Sequence, residues 1–348
     1  MSEDAEGTEG LSRGGPVTEG VRDTGRRTPS RTLLRARLRT DDGVGIDACY
    51  QPREGGSGDR DEGVRQAAGR DLAIVVAHGF TGSLERPAVR RVSQVFARHA
   101  DVVTFSFRGH GRSGGRSTVG DREVLDLAAA VRWARSLGHS AVATAGFSMG
   151  GSVVLRHAAL HRAEPAGAAY GAGDADGTGT DGTGPAAGTG AGDAAHRMHR
   201  GRTGAHTDAV VAVSAPARWY YRGTPAMRRV HWAIQHPAGR LVSRYGLRTR
   251  IHHQDWDPVP LSPVEAAPLI APTPLLVVHG DRDAYFPLDH PYSLFDAADP
   301  ACTELWIERG FGHAENAAPP ELLERIAAWA TARTGRAPRH HGGGTTDG

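Results

Sequence analysis

The stretch Ala141-Val142-Ala143-Thr144-Ala145-Gly146-Phe147-Ser148-Met149-Gly150-Gly151 decides how the rest of the chain is read. A small-residue apolar run over Ala141–Phe147 predicts a buried strand, and Gly151–His161 (GSVVLRHAALH) continues as a helix. Ser148 therefore falls on a tight strand-to-helix turn, and the flanking glycines let the backbone pass without a Cβ clash. Amides at the start of that helix point toward the serine, where one of them can donate to an oxyanion.

Working outward, short apolar runs recur on both sides. Leu72–Ala77, Val102–Phe107, Ala209–Val213, Pro274–Val278 and Glu304–Ile307 have the length and composition of strands buried on both faces. Leu33–Arg39 and Val44–Tyr50 alternate as an antiparallel pair joined at Asp41-Asp42-Gly43. Between the runs, Ala88–His99, Asp121–Leu137 and Pro320–Ala332 carry apolar residues at three- and four-residue spacing, which predicts amphipathic helices. Strands alternating with helices of this length imply an α/β fold with a mainly parallel sheet and helices on both faces. Reactive groups in such a fold sit at the carboxyl ends of strands.

Two such strand ends supply partners for a serine. Leu275-Leu276-Val277-Val278-His279-Gly280-Asp281-Arg282-Asp283 places two aspartates after a buried strand, and Ile307-Glu308-Arg309-Gly310-Phe311-Gly312-His313 places a histidine after the next. A hydroxyl is a weak nucleophile until a base takes its proton, and that base needs an acid to orient it. The order along the chain is Ser, Asp, His.

With His78-Gly79-Phe80 and Arg108-Gly109-His110-Gly111-Arg112-Ser113, five ordered motifs spread over residues 31–333 make the chain resemble the α/β-hydrolase family. The resemblance implies an α/β-hydrolase fold with a helical cap. It implies Ser148 as nucleophile, His313 as general base and acid, and Asp283 as the group orienting the imidazole, with Asp281 the competing aspartate. It further implies an oxyanion hole from the backbone amides of Phe80 and Met149. His78, His279 and His110 read as structural histidines of strand-end loops. Residues 215–270 occupy the place where these proteins carry a cap. They hold Trp219, Tyr220, Tyr221, Trp232, Tyr245 and Trp256, expected to line one apolar pocket. Eight arginines in the segment, against Asp255, Asp257 and Glu265, either attract an anionic substrate or form a solvated basic face.

Composition removes several other classes. The 348 residues carry 41 basic and 39 acidic groups, a net charge of +2, so no strong field draws the chain to nucleic acid. All 41 basic residues are arginine, which excludes Schiff-base and phosphate-loop lysine chemistry. Cys49 and Cys302 are too few for a disulfide framework, lack metal-ligand spacing, and read as small core residues on strands. The run His252-His253-Gln254-Asp255-Trp256-Asp257 matches no familiar metal spacing and reads as a polar loop of the cap. No cofactor and no metal are expected. No apolar run approaches the ~18 residues of a membrane span, and the opening MSEDAEGTEG is unlike a secretory signal, so a cytoplasmic location is expected.

The ends and one insertion read differently. Residues 1–30 and 334–348 are polar and glycine-rich and are expected to be disordered, and 53–70 a polar loop. Residues 163–206 contain Pro165–Ala195, with ten Gly, ten Ala and no Leu, Ile, Val or Phe, and are expected to form a flexible insertion. The activity expected is hydrolysis of a carboxylic ester or thioester on a small-molecule acyl substrate. A peptidase or acyltransferase using the same three residues, and a hydrolase-fold binding protein with little turnover, remain as alternatives. Nucleic-acid binding through the arginines is the weakest reading. Nothing in the sequence sets an oligomeric state.

Overall fold

In the computed structural model, residues 33–54, 70–162 and 204–334 are described. Residues 1–30 and 335–348 of the expected disordered ends, 163–203 of the expected 163–206 insertion and most of the 53–70 loop lie outside the described residues. Ala205, by contrast, is fully buried, and Thr334 ends a helix.

An eight-stranded sheet forms in the order β1-β2-β4-β3-β5-β6-β7-β8. The strands are β1 (Leu34–Arg39), β2 (Gly45–Gln51), β3 (Arg70–Ala77), β4 (Asp101–Phe105), β5 (His139–Phe147), β6 (Ala209–Val213), β7 (Leu275–Gly280) and β8 (Thr303–Glu308). β1 and β2 form the expected hairpin, with Leu34 opposite Tyr50 and Arg39 opposite Gly45, and β2 runs antiparallel to β4. Every other pairing is parallel. This is the α/β-hydrolase fold.

The unbroken apolar runs follow from covering both faces. On β3, Ala73, Val75 and Ala77 enter one core cluster while Ile74 and Val76 enter the other. One face is covered by α1 (Pro87–Phe96) and α9 (Pro320–Thr334), which bury Val89, Val92, Phe96, Leu323 and Ile326. The opposite face is covered by α2 (Glu123–Ser136), α3 (Met149–Leu160) and α7 (Asp289–Ala297) through Leu127, Val131, Val153, Leu155 and Leu294.

Two expectations need correction. The strand expected over Val102–Phe107 stops at Phe105. Ser106 N–H instead donates to Asp47 O, and Phe107 N–H to His78 Nε2, which turns the chain into the Arg108–Ser113 loop. Cys49 is buried on β2, but Cys302 lies in the turn before β8 and is only partly buried, so it is no core strand residue. Both thiols are free.

Between β6 and β7 the chain leaves the sheet. It forms α4 (Pro225–Gln235) and α5 (Pro237–Tyr245), each opened by a proline at its first turn, where no backbone donor is needed. Thr224 caps α4, accepting from Met227 N–H at 3.2 Å. The return path is tied down by isolated bridges pairing His110 with Thr249 and Ser117 with Ile251. A short helix, α6 (Pro263–Ala266), ends the segment, and beyond it Ala267 and Ile270 join the core.

Candidate active site

β5, β7 and β8 run parallel in the sheet, with β6 between β5 and β7, and the loops leaving their carboxyl ends carry Ser148, Asp283 and His313. Ser148 has φ 53° and ψ −114°, in the left-handed half of backbone space that side chains avoid at a cost of about 1–3 kcal/mol. The turn is held by Ser148 N–H donating to Val213 O at 2.9 Å. A Cβ at Gly146 would stand 2.1 Å from the Gly150 carbonyl oxygen, so no larger residue fits the entry to this turn.

His313 Nε2 lies 2.9 Å from Ser148 Oγ, and its Nδ1 lies 2.7 Å from Asp283 Oδ2. With Nδ1–H donating to the carboxylate, Nε2 is left to accept the serine proton. The other Asp283 oxygen accepts from Tyr285 N–H (2.8 Å) and Phe286 N–H (3.1 Å). Burial pushes the Asp283 carboxyl up, but the hydrogen bond and charge of His313 and the Tyr285 amide outweigh it, holding the group below the usual carboxylate range. The competing Asp281 faces away: its Oδ1 accepts from Gly310 N–H at 2.6 Å and shapes the turn before His313.

The other three strand-end histidines, His78, His110 and His279, behave as loop supports. His78 Nε2 accepts from Phe107 N–H (3.0 Å), so its Nδ1–H donates to Gly79 O (2.7 Å), and burial first, then the neighbouring His110, drives its pKa down to about 3. His110 accepts from Thr81 N–H at 3.3 Å and pairs with Arg108 O at 3.0 Å. His279 reaches Phe286 O at 2.8 Å, behind Asp283.

Phe80 and Met149 both line the cavity in front of Ser148, and neither backbone amide donates to an acceptor among the described residues. Met149 is the first residue of α3, where an amide has no partner inside the helix.

The cavity has a volume of about 450 Å³ and is walled by Phe80, Val119, Met149, Trp219, Tyr221 and Trp256, among others. Its far wall is the β6–β7 segment. Met227, Val230 and Ile234 present one apolar stripe of α4 to it. Trp256 is fixed by its indole N–H donating to Thr118 O (2.6 Å), and its ring stands edge-on to Trp219 at 5.0 Å. The loop that receives it is organised by the buried Glu123 carboxylate. That group accepts from Ser117 Oγ–H, Thr118 N–H and Oγ–H, and Gly120 N–H within 2.7–2.9 Å.

Here too the outcome differs from expectation. Trp232 and Tyr245 do not line the cavity; they are 48% and 73% exposed on the outer side of α4 and α5. The helical period that turns Val230 and Ile234 inward turns Trp232 outward, where it stacks on His236. Of the eight arginines only Arg218 and Arg229 reach the cavity, and Arg218 is paired with Asp289. The arginine excess is mostly a solvated face. His252, Gln254 and Asp255 also line the cavity, while among the described residues no His, Cys, Asp and Glu group of metal-binding geometry occurs.

Sequence reasoning missed three contributors. Tyr285 stacks on the His313 ring at 4.1 Å, and Phe286 tilts against it at 5.7 Å. Their place two and three residues after Asp283 was the available signal. Glu315, two residues after His313, is buried against Gly79.

Comparisons with known proteins agree with this fold. A family model described as the alpha/beta hydrolase fold matches residues 73–169. No curated protein sequence matches the chain. Among solved structures, the chain is similar to the esterase Pf2001 of Pyrococcus furiosus, with 19% identity and a TM-score of 0.58 over 88% of this chain and 92% of that one. It is also similar to the alpha/beta hydrolase GrgF of Penicillium sp. sh18 (14% identity, TM-score 0.56, 87% and 99% covered). The esterase domain of a Rhodothermus marinus protein aligns at 18% identity and TM-score 0.51, with 87% and 100% covered. Identities this low report a shared fold.

Proposed function

We propose that this chain, whose fold is that of the α/β-hydrolases, is a serine hydrolase cleaving a carboxylic ester or thioester through Ser148, His313 and Asp283. The observation that carries the reading is the continuous relay from Asp283 Oδ2 through His313 (2.7 Å) to Ser148 Oγ (2.9 Å), opening on an apolar cavity.

In the first half-reaction His313 Nε2 takes the Ser148 proton as Oγ bonds to the acyl carbon, and the carbonyl π pair moves onto its oxygen. The amides of Phe80 and Met149 donate to that oxyanion; one such donor is typically worth ~100–1000-fold in rate. As the tetrahedral species collapses, the C–O or C–S bond breaks, and His313 returns its proton to the departing alcohol or thiol. Water then attacks the acyl-enzyme, giving a proton to His313; the second tetrahedral species collapses, the acyl C–Oγ bond breaks, and His313 returns that proton to Ser148 Oγ. Asp283 keeps the imidazole in the Nδ1–H tautomer and stabilises the cation that forms.

Within the expected 215–270 segment, residues 218–262 act as the cap in this reading, since Ala215, Ala217, Ala267 and Ile270 at its two ends pack into the core. Their aromatic wall suits an aliphatic or aromatic acyl group, with no cofactor or metal taking part. The esterase names of the Pyrococcus and Rhodothermus neighbours favour the ester reading over the peptidase and acyltransferase ones.

The test is kcat/KM for p-nitrophenyl esters from acetyl to lauroyl, in wild type and Ser148→Ala, beside covalent labelling by a fluorophosphonate. Ester turnover and labelling that both vanish in Ser148→Ala support the reading. Equal turnover in the two proteins would sink it.

A further inference from the structure

Glu315 is a buried acid bordering the cavity that the reaction above does not use. It sits on α8 (Ala314–Ala317), two residues after His313, and is 4% exposed. Its Oε1 accepts from Gly79 N–H at 3.0 Å, across 236 positions of sequence, while its Oε2 has no hydrogen-bond partner. The carboxyl and the nucleophile both crowd the side of Gly79 where a side chain would stand. A Cβ at Gly79 would stand 3.2 Å from both Glu315 oxygens and 3.4 Å from Ser148 Cβ.

Satisfying one backbone amide does not explain a carboxyl in that place. Burial raises its pKa, opposed by its own backbone amide, that of Gly79, and the charges of His313 and Arg91. One oxygen without a partner carries the desolvation cost of a buried polar atom, about 1–3 kcal/mol. Groups that cost stability next to a reactive centre are candidates for a role in it.

The backbone around Gly79 says what that role is. Gly79 O accepts from His78 Nδ1–H (2.7 Å) and Gly82 N–H (2.9 Å), so the peptide linking residues 79 and 80 is held at its oxygen. Glu315 holds residue 79 at its other polar group, the N–H. The N–H of the 79–80 peptide is the Phe80 donor. Glu315 is itself backed by Arg91, whose Nη2 donates to Glu315 O (2.6 Å) and Asn316 O (3.3 Å).

We infer that Glu315 is a positioning residue for the oxyanion site: by gripping the Gly79 amide it keeps the Phe80 N–H aimed at the acyl oxygen on Ser148. This rests on the serine-hydrolase reading. Glu315 borders the cavity but hydrogen-bonds neither Ser148 nor His313; it acts through the backbone of one loop. Because that donor matters most once the acyl oxygen is charged, losing the grip lowers kcat and leaves substrate binding nearly untouched.

The experiment compares wild type with Glu315→Ala, Glu315→Leu and Glu315→Gln on one p-nitrophenyl ester, with a boronic acid as mimic of the tetrahedral species. Leu fills the space without an acceptor and serves if the Ala protein is unfolded; Gln keeps an oxygen for Gly79 N–H. Loss of the grip is expected to lower kcat about 30–300-fold with KM within about 3-fold, and to weaken boronate inhibition by the same factor as kcat/KM. Gln is expected to restore kcat to within about 5-fold of wild type. Wild-type kcat and boronate affinity in both the Ala and Leu proteins overturn the inference. So does a Gln protein as impaired as Leu, which would mean the negative charge acts on His313. Fluorophosphonate labelling separates the two layers. A wild type in which Ser148 is not labelled overturns the reading beneath; a labelled, active wild type with indifferent Glu315 variants overturns this inference alone.

Discussion

The two walls of the cavity are built on opposite plans. On the sheet side, each reactive group leaves a parallel strand and is held by buried backbone: Ser148 by Val213 O, Asp283 by two amides, and Ala314, next to His313, by Ser214 Oγ at 3.1 Å. On the other side, α4 buries no residue and α5 buries only Gly239 and Ser243. That wall is hung from a few points, such as Trp256 on Thr118 and the Ser117–Ile251 bridge. In the proposed reaction, chemistry that needs sub-ångström placement falls on the packed side, and shape that selects a substrate on the loosely packed one.

The contrast breaks first at the nucleophile. Ser148→Ala should remove roughly 10⁴–10⁶-fold of kcat/KM, and Asp283→Asn about 10³–10⁴-fold by loss of the tautomer, with melting temperatures little changed. Steady-state kinetics on the preferred ester checks both.

Next is the support beneath the loop. Arg108 is buried and forks onto Asp126 (2.8 and 3.0 Å) and Asp42 (2.7 and 3.0 Å). Arg108→Ala strands the fully buried Asp126 carboxyl and is expected to cost about 3–5 kcal/mol, read from urea unfolding. A cost under 1 kcal/mol would show that the loop side is less rigidly built than its geometry implies.

The packed side is also acid-sensitive. His78 titrates at about 3 in the fold, below its ordinary 6.5, so the unfolded chain binds more protons between those values. Stability is thus fully present above about pH 6.5 and falls as pH drops toward 3, by about 2 kcal/mol at pH 5 from this group alone. His157, fully buried with neither ring nitrogen partnered and its pKa also lowered by burial and by His161, adds to the slope. Its replacement by Leu should raise stability at pH 5 and flatten the profile between pH 7 and 5, measured as urea midpoints.

The smallest effects separate the two faces of the outer wall. Trp256→Ala should raise KM about 5–30-fold and shift acyl-chain preference, having lost about 1–2 kcal/mol of apolar contact. Tyr245→Ser, on the exposed face, should stay within about 2-fold in both constants. Equal effects would mean that the two residues share one environment, against their exposures.

Much of the packed side was legible because its signals are local. The β5–Ser148–α3 turn is written within eleven residues, and the two strand-end loops supply Asp283 and His313 in order. The outer wall was only half legible. Composition showed six large aromatics between β6 and β7, but which of them face the cavity depends on helix rotation, so Trp232 and Tyr245 were wrongly counted in.

By itself, then, the sequence determined the α/β alternation, the strained serine turn and the chain order of the three groups, since each follows from steric and periodic rules acting over a few neighbours. Only the tertiary structure decided that Asp283 rather than Asp281 meets His313, that Tyr285 stacks on its ring, and that Glu315 grips Gly79. Those contacts join residues up to 236 positions apart, and a contact across that span is set by how strands order in a sheet, which no short window of sequence contains.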